Sequence, residues 1–169
     1  DEMFSEQDRV GPWIYDMETL GFNYRISEFQ AALGLSQLKK IDRIKARRRK
    51  IVNYYNEHFS SFDELILPFE DENVDSNFHL YILRVKDNPR FDRYDLFTYL
   101  QLMNYQPMVH YIPVHLLGYY KKRFGYKRGD FPVSEYYYDR AVSIPLYPSL
   151  TDEEVEKVVD DITNFVESK

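Results

Sequence analysis

From Ser27 to about Phe59 the chain contains no proline. Ala31, Ala32, Leu35, Leu38, Ile41, Ile44, Ile51, Val52, Tyr55 and Phe59 recur there at roughly helical spacing. Gln30, three residues after Ser27, completes a capping-box pattern in which the two side chains satisfy each other's orphan amides. A helix of about 33 residues would be about 50 Å long, more than the diameter of one small domain. The pattern therefore predicts a long element that connects two bodies. Its two halves differ. Residues 29–38 are apolar or small on several sides and are expected to be buried. Residues 39–50 carry eight positive charges (Lys39, Lys40, Arg43, Lys45, Arg47, Arg48, Arg49 and Lys50) against Asp42, and are expected to be solvated.

Ahead of this element, residues 1–26 read as an irregular lead punctuated by Gly11-Pro12 and Gly21. Behind it the pattern is α+β. HLYILRVK, at 79–86, alternates as a strand does. Asp92 can cap a helix to about Asn104, with Leu96, Tyr99, Leu100 and Met103 inward. Gln106 to Tyr111 reads as a second strand closed by Pro113, and short helices are expected near 115–123 and 132–141. Ser143 to Tyr147 reads as a short extended piece between prolines. Thr151 with Glu154 opens an amphipathic helix through Val155, Val158, Val159, Ile162, Phe165 and Val166, whose acidic residues should form its solvated face.

Composition removes several classes of chemistry. The 169 residues include no cysteine, which excludes a disulfide framework, a thiolate metal site and a cysteine nucleophile. The net charge of −6 argues against a general nucleic-acid binder. No apolar run approaches the roughly 18 residues of a membrane span. Phosphate loops, dinucleotide fingerprints, nucleophile elbows and zinc-protease motifs are absent from the sequence. His110 and His115 lie five apart across a proline, with no carboxylate near in sequence, so no metal site is expected. His58 reads as a surface residue favoured by a helix C-terminus, and His79 as a structural hydrogen-bonding group. The three tyrosines 136–138 face different ways on a helix, with core packing as the default. The basic run 39–50 offers phosphate contacts in principle, but its charges point around the helix.

GFNYRIS, at 21–27, is chemically richer. A glycine turn, Asn23, Arg25 and a helix N-terminus arrive within seven residues, a combination suited to anions. A plain loop-to-helix junction explains the same residues.

At this point a resemblance enters. GFNYRISEFQAALGLSQLKKID is similar to the G-x-N-x-R segment and Ala-rich, Gln-Leu helix of the DegT/DnrJ/StrS family of pyridoxal-phosphate (PLP) dependent sugar aminotransferases. HLYILRV, MVHYIPVHLLGYY and SIPLYPSLTDEEV resemble that family's later blocks, in order and across essentially the whole chain. VHYIPVH and the terminal block resemble those of transaminases acting on UDP-linked 4-keto-6-deoxy sugars, as in pseudaminic acid biosynthesis.

The resemblance implies an α+β C-terminal part of a fold-type-I aminotransferase. Residues 1–59 would be an interface segment and long connecting helix at the edge of a large domain, and 60–169 a small C-terminal domain with an antiparallel sheet. It implies a cytoplasmic homodimer using PLP to move an amino group from glutamate to a nucleotide-linked keto-sugar, with no membrane or nucleic-acid partner. Asn23 and Arg25 would serve the cofactor phosphate, Asn23 reaching into the neighbouring subunit's site. Asn23, Met108, Val109, His110, Tyr111 and His115 would contact the nucleotide sugar, with Tyr119 a further candidate. The cofactor-bonding lysine of the family precedes the G-x-N-x-R block, and none of the ten lysines here has a matching context. The chain is therefore expected to be a piece of a longer enzyme and inactive alone, with the stripe from Phe29 to Leu38, which the large domain would cover, exposed and driving self-association. A non-catalytic interaction module and a PLP-dependent sugar dehydratase, with histidine in place of that lysine, are the alternatives.

Overall fold

A computed structural model describes residues 21, 22 and 24–169. The irregular lead at 1–20 and the candidate Asn23 lie outside the described residues. The chain separates into two compact units, 1–38 and 39–169.

In the first unit Ser27 caps α1 (Glu28–Leu38), as its pattern predicts. The Ser27 amide donates to Gln30 Oε1 at 2.9 Å and the Gln30 amide to Ser27 Oγ at 3.4 Å. The apolar pattern of this half suggests burial, but the stripe is exposed in this chain, as expected of a surface that a large domain would cover. Phe29 is 90% exposed, and Leu33, Leu35 and Leu38 are exposed with it. The expected continuous helix is also interrupted. Lys39 and Lys40 form a turn, and α2 (Ile41–Phe59) begins afterwards with no side-chain cap.

The second unit is built around a three-stranded antiparallel sheet in the order β1 (Leu65–Ile66), β2 (Tyr81–Val85), β3 (Ala141–Ile144). The alternation in β2 buries Tyr81, Leu83 and Val85. Around the sheet lie α2, α3 (Arg93–Leu102), α4 (Gly118–Phe124), α5 (Pro132–Arg140) and α6 (Asp152–Glu167). A 3-10 turn at Val114–Leu116 precedes α4. The core joins Ile51, Tyr55 and Phe59 of α2 to Leu96 and Leu100 of α3 and to the whole apolar stripe of α6. Tyr55 stacks with Phe59 and meets Tyr81 edge-on, at centroid distances of 5.7 and 5.1 Å.

Both remaining helix caps follow the sequence reading. Asp92 and Asp95 form a capping box at α3, and Thr151 and Glu154 form one at α6. Met103, expected inward, is instead the C-cap of α3 and is 37% exposed.

The basic run departs from expectation more sharply. Lys45 pairs with Asp75, Arg49 with Glu70 and Asp75, and both Arg47 and Lys50 with Asp152. Arg48 donates to the Phe78 carbonyl, and Arg47, Arg48 and Arg49 are half-buried. These cations hold the 70–78 loop and the start of α6 against α2 instead of standing free in water. The tyrosines of α5 also avoid the core. Arg84, Arg93 and Arg140 lie over the rings of Tyr137, Tyr138 and Tyr136 respectively.

Candidate functional site

The strand expected over 106–111 is reduced to a single bridge, Met108 to Ser143. Pro107 has no amide hydrogen to give to a ladder, which explains why pairing does not extend toward Gln106. The bridge itself is complete. Ser143 donates its amide to the Met108 carbonyl at 2.7 Å, and Met108 returns one to the Ser143 carbonyl at 3.4 Å. Ser143 also pairs with Ile82 in β2, so its backbone is held from both sides.

This anchor sets the three residues that follow it. His110 Nδ1 lies 2.7 Å from Ser143 Oγ, and the ring is half-buried. Tyr111 meets the imidazole edge-on at 4.6 Å between centroids and is 72% exposed. Met108 is 54% exposed and Val109 half-buried. Met108, Val109, His110 and Tyr111 thus form one continuous, partly apolar surface with an imidazole and a phenol on it. Tyr119, in α4, is also exposed, with its ring against Tyr120.

His115 belongs to a different arrangement. It is buried, and its Nε2 lies 2.8 Å from Glu135 Oε1. The same carboxylate accepts from the Gly129 amide at 2.8 and 2.9 Å and from the Phe131 amide at 3.3 Å. Gly129 has φ +99°, a conformation glycine adopts without penalty. Burial pushes the Glu135 carboxyl up, but the Gly129 amide, His115 and the Phe131 amide outweigh it and hold the group below the usual carboxylate range. The His115 ring further packs on Phe131 and Tyr126. The two histidines of VHYIPVH therefore engage separate partners, Ser143 and Glu135.

The other candidates are simpler. Arg25 is exposed, two residues before Ser27. His58 Nδ1–H donates to the Tyr54 carbonyl at 2.8 Å within the last turn of α2, and its ring lies against Tyr54. His79, expected to be a structural hydrogen-bonding group, is exposed at the entry to β2. It lines a groove of about 310 Å³ with Arg84 and Tyr137. Ser143 and Glu135 carry no sequence signal for their roles, because their partners lie 33 and 20 residues away. Among the described residues no group of three or more metal-ligating side chains comes together, and no helix is long and apolar enough to cross a membrane.

Comparison with known proteins gives these features a context. The sequence profile of the DegT/DnrJ/EryC1/StrS aminotransferase family matches residues 4–163. The spore coat polysaccharide biosynthesis protein SpsC of Bacillus subtilis is 39% identical over 158 residues, covering 92% of this chain and 41% of that protein. The dTDP-3-amino-3,6-dideoxy-alpha-D-galactopyranose transaminase of Aneurinibacillus thermoaerophilus is 34% identical over 146 residues, 86% of this chain and 38% of its own length. The PLP form of a sugar aminotransferase from Streptococcus pneumoniae, Spr1654, superposes with a TM-score of 0.80 at 29% identity, covering 94% of this chain and 40% of that one. The chain spans about two fifths of the length of the relatives it matches. It belongs to the DegT/DnrJ/EryC1/StrS aminotransferase family.

Proposed function

We propose that this chain is the C-terminal part of a PLP-dependent aminotransferase that moves an amino group from glutamate to a nucleotide-linked keto-sugar for surface polysaccharide or glycan biosynthesis. The observation that carries this reading is the family match over 4–163 together with relatives named as nucleotide-sugar transaminases.

PLP, when bound, supplies the electron sink for the transfer. The residues of this chain fit its periphery and not its reacting end. A cofactor-bonding lysine works desolvated in a pocket. Here nine of the ten lysines are exposed, and the half-buried Lys45 is paired with Asp75. Arg25, exposed just ahead of α1, offers a guanidinium suited to a phosphate. Asn23 would add a neutral amide donor to an oxyanion, in a dimer whose subunits share the site. The reacting lysine then belongs to a preceding domain of the parent protein.

The surface of Met108, Val109, His110 and Tyr111 is assigned to the nucleotide sugar. His110 and Tyr111 provide polar contacts, and the apolar flank of Met108 and Val109 excludes water. His115 is buried and turned toward Glu135, apart from this surface.

The complete reading frame, expressed with PLP and supplied with glutamate and UDP- or dTDP-linked 4-keto sugars, should form an amino sugar detectable by mass. The 169-residue chain alone should form none and give no shifted cofactor absorbance. Turnover by the chain alone, or failure of the complete protein on every nucleotide-linked keto-sugar, overturns the proposal.

A further inference from the structure

We infer that Ser143 is a positioning residue: its hydroxyl donates to Nδ1 of His110, holding that imidazole in the tautomer whose Nε2–H is offered to the bound sugar nucleotide. This rests on the assignment of the 108–111 surface to the substrate.

The geometry carries the inference in three steps. First, Ser143 cannot drift. Its backbone pairs with Ile82 on one edge and with Met108 on the other, and its side chain is buried within the sheet. Second, the 2.7 Å contact to His110 Nδ1 spans 33 residues of sequence. It is the one hydrogen bond found for the Ser143 hydroxyl among the described residues. A buried hydroxyl with a single partner, itself able to accept, satisfies its proton by donating to it. Third, a neutral imidazole that accepts at Nδ1 carries its proton on Nε2. His110 is then a neutral donor beside the exposed Tyr111. Such a donor suits hydroxyl or phosphoryl oxygens and adds no charge that must be desolvated. Ser143 never touches the ligand in this arrangement. It acts through His110, as the carboxylate or carbonyl behind a ligating histidine does in other sites.

The test has two independent arms. In the 169-residue chain, imidazole nitrogen shifts measured by NMR at a pH where His110 is neutral should place the proton on Nε2. Ser143→Ala should give a mixture of tautomers, and Ser143→Thr should restore the single form. A wild-type proton on Nδ1, or a tautomer ratio that Ser143→Ala leaves unchanged, overturns the inference. The wild-type measurement stands even where a variant fails to fold.

In the complete enzyme, Ser143→Ala should raise KM for the nucleotide sugar about five- to tenfold with kcat nearly unchanged, the size expected for one misdirected hydrogen bond. His110→Ala should do the same, and the double variant should add little. If His110→Ala leaves KM unchanged while the tautomer shifts as expected, the substrate assignment fails and takes the role of Ser143 with it. If His110→Ala raises KM and the tautomer does not respond to Ser143→Ala, the assignment stands and the positioning role falls.

Discussion

The Tyr55 hydroxyl donates to the Pro145 carbonyl at 2.9 Å, tying the C-terminal part of α2 to the residue that follows β3. The ring is fully buried, so both polar atoms depend on each other. Tyr55→Phe keeps the ring packing and leaves the carbonyl without its donor. The expected loss is about 1 kcal/mol of unfolding free energy, read as a lower urea midpoint with an unchanged slope.

Burial pushes the phenols of Tyr55, Tyr81 and Tyr105 up from their usual range, and for Tyr105 the hydrogen bond to Asp161 adds to the effect. The folded state therefore keeps these protons where the unfolded chain releases them. Their contribution is complete below the unfolded value of about 10 and is lost as pH rises beyond it. Circular dichroism followed through that range should show cooperative unfolding coincident with the last part of the rise in tyrosinate absorbance, the part that the buried phenols supply. Tyrosinate absorbance that reaches the full amplitude of all 16 tyrosines before any loss of structure would contradict the buried placement.

Glu135 has the opposite sign. Its carboxyl is held below the usual range, so its contribution is present above the unfolded value of about 4.3 and lost as pH falls through the lower folded value. Glu135→Ala leaves the Gly129 and Phe131 amides and the His115 ring without their common acceptor. Thermal midpoints should fall by several degrees at neutral pH, and the difference from wild type should shrink in acid. A constant difference across pH would show that the loop is held by packing alone.

The stripe of α1 that includes Phe29 and Leu33, one helical turn apart, is exposed. Apolar surface of this kind associates. Sedimentation of the 169-residue chain should show concentration-dependent self-association, and Phe29→Glu with Leu33→Glu should remove it. A wild-type chain that stays monomeric at high concentration would remove the argument.

Thr151→Ala should cost about 1 kcal/mol, because the Thr151 hydroxyl accepts from the Glu154 amide at 3.2 Å at the start of α6. Chemical denaturation of the single variant checks it.

The caps at Ser27, Asp92 and Thr151 were legible because each is a contact over three residues, written in adjacent sequence. The stripe of α6 and the alternation of β2 were legible for the same local reason. What escaped is long-range. The cations of α2 look solvated in sequence because Asp75, Glu70 and Asp152, which neutralise them, lie 21 or more residues away. β1 spans two residues, too short for any period to register. The break at Lys39–Lys40 has no proline to announce it, and the apolar pattern of the first half reads as a buried face, whose exposure in this chain follows only from the resemblance. At the candidate site the motif named His110 and His115 together, whereas Ser143 and Glu135 divide them between two partners.

The single bridge at Met108 has a consequence for how this surface can change. A full strand over 106–111 would bind every second residue into a ladder, so replacements there would be constrained by the sheet. With one bridge and two side-chain latches, at His110 and His115, the residues between are not committed to pairing. Positions 109, 111, 112 and 114 are free to vary in size and polarity while the scaffold stays in register. If this surface takes the nucleotide sugar, as proposed, replacing a few side chains there would change the ligand without disturbing the sheet.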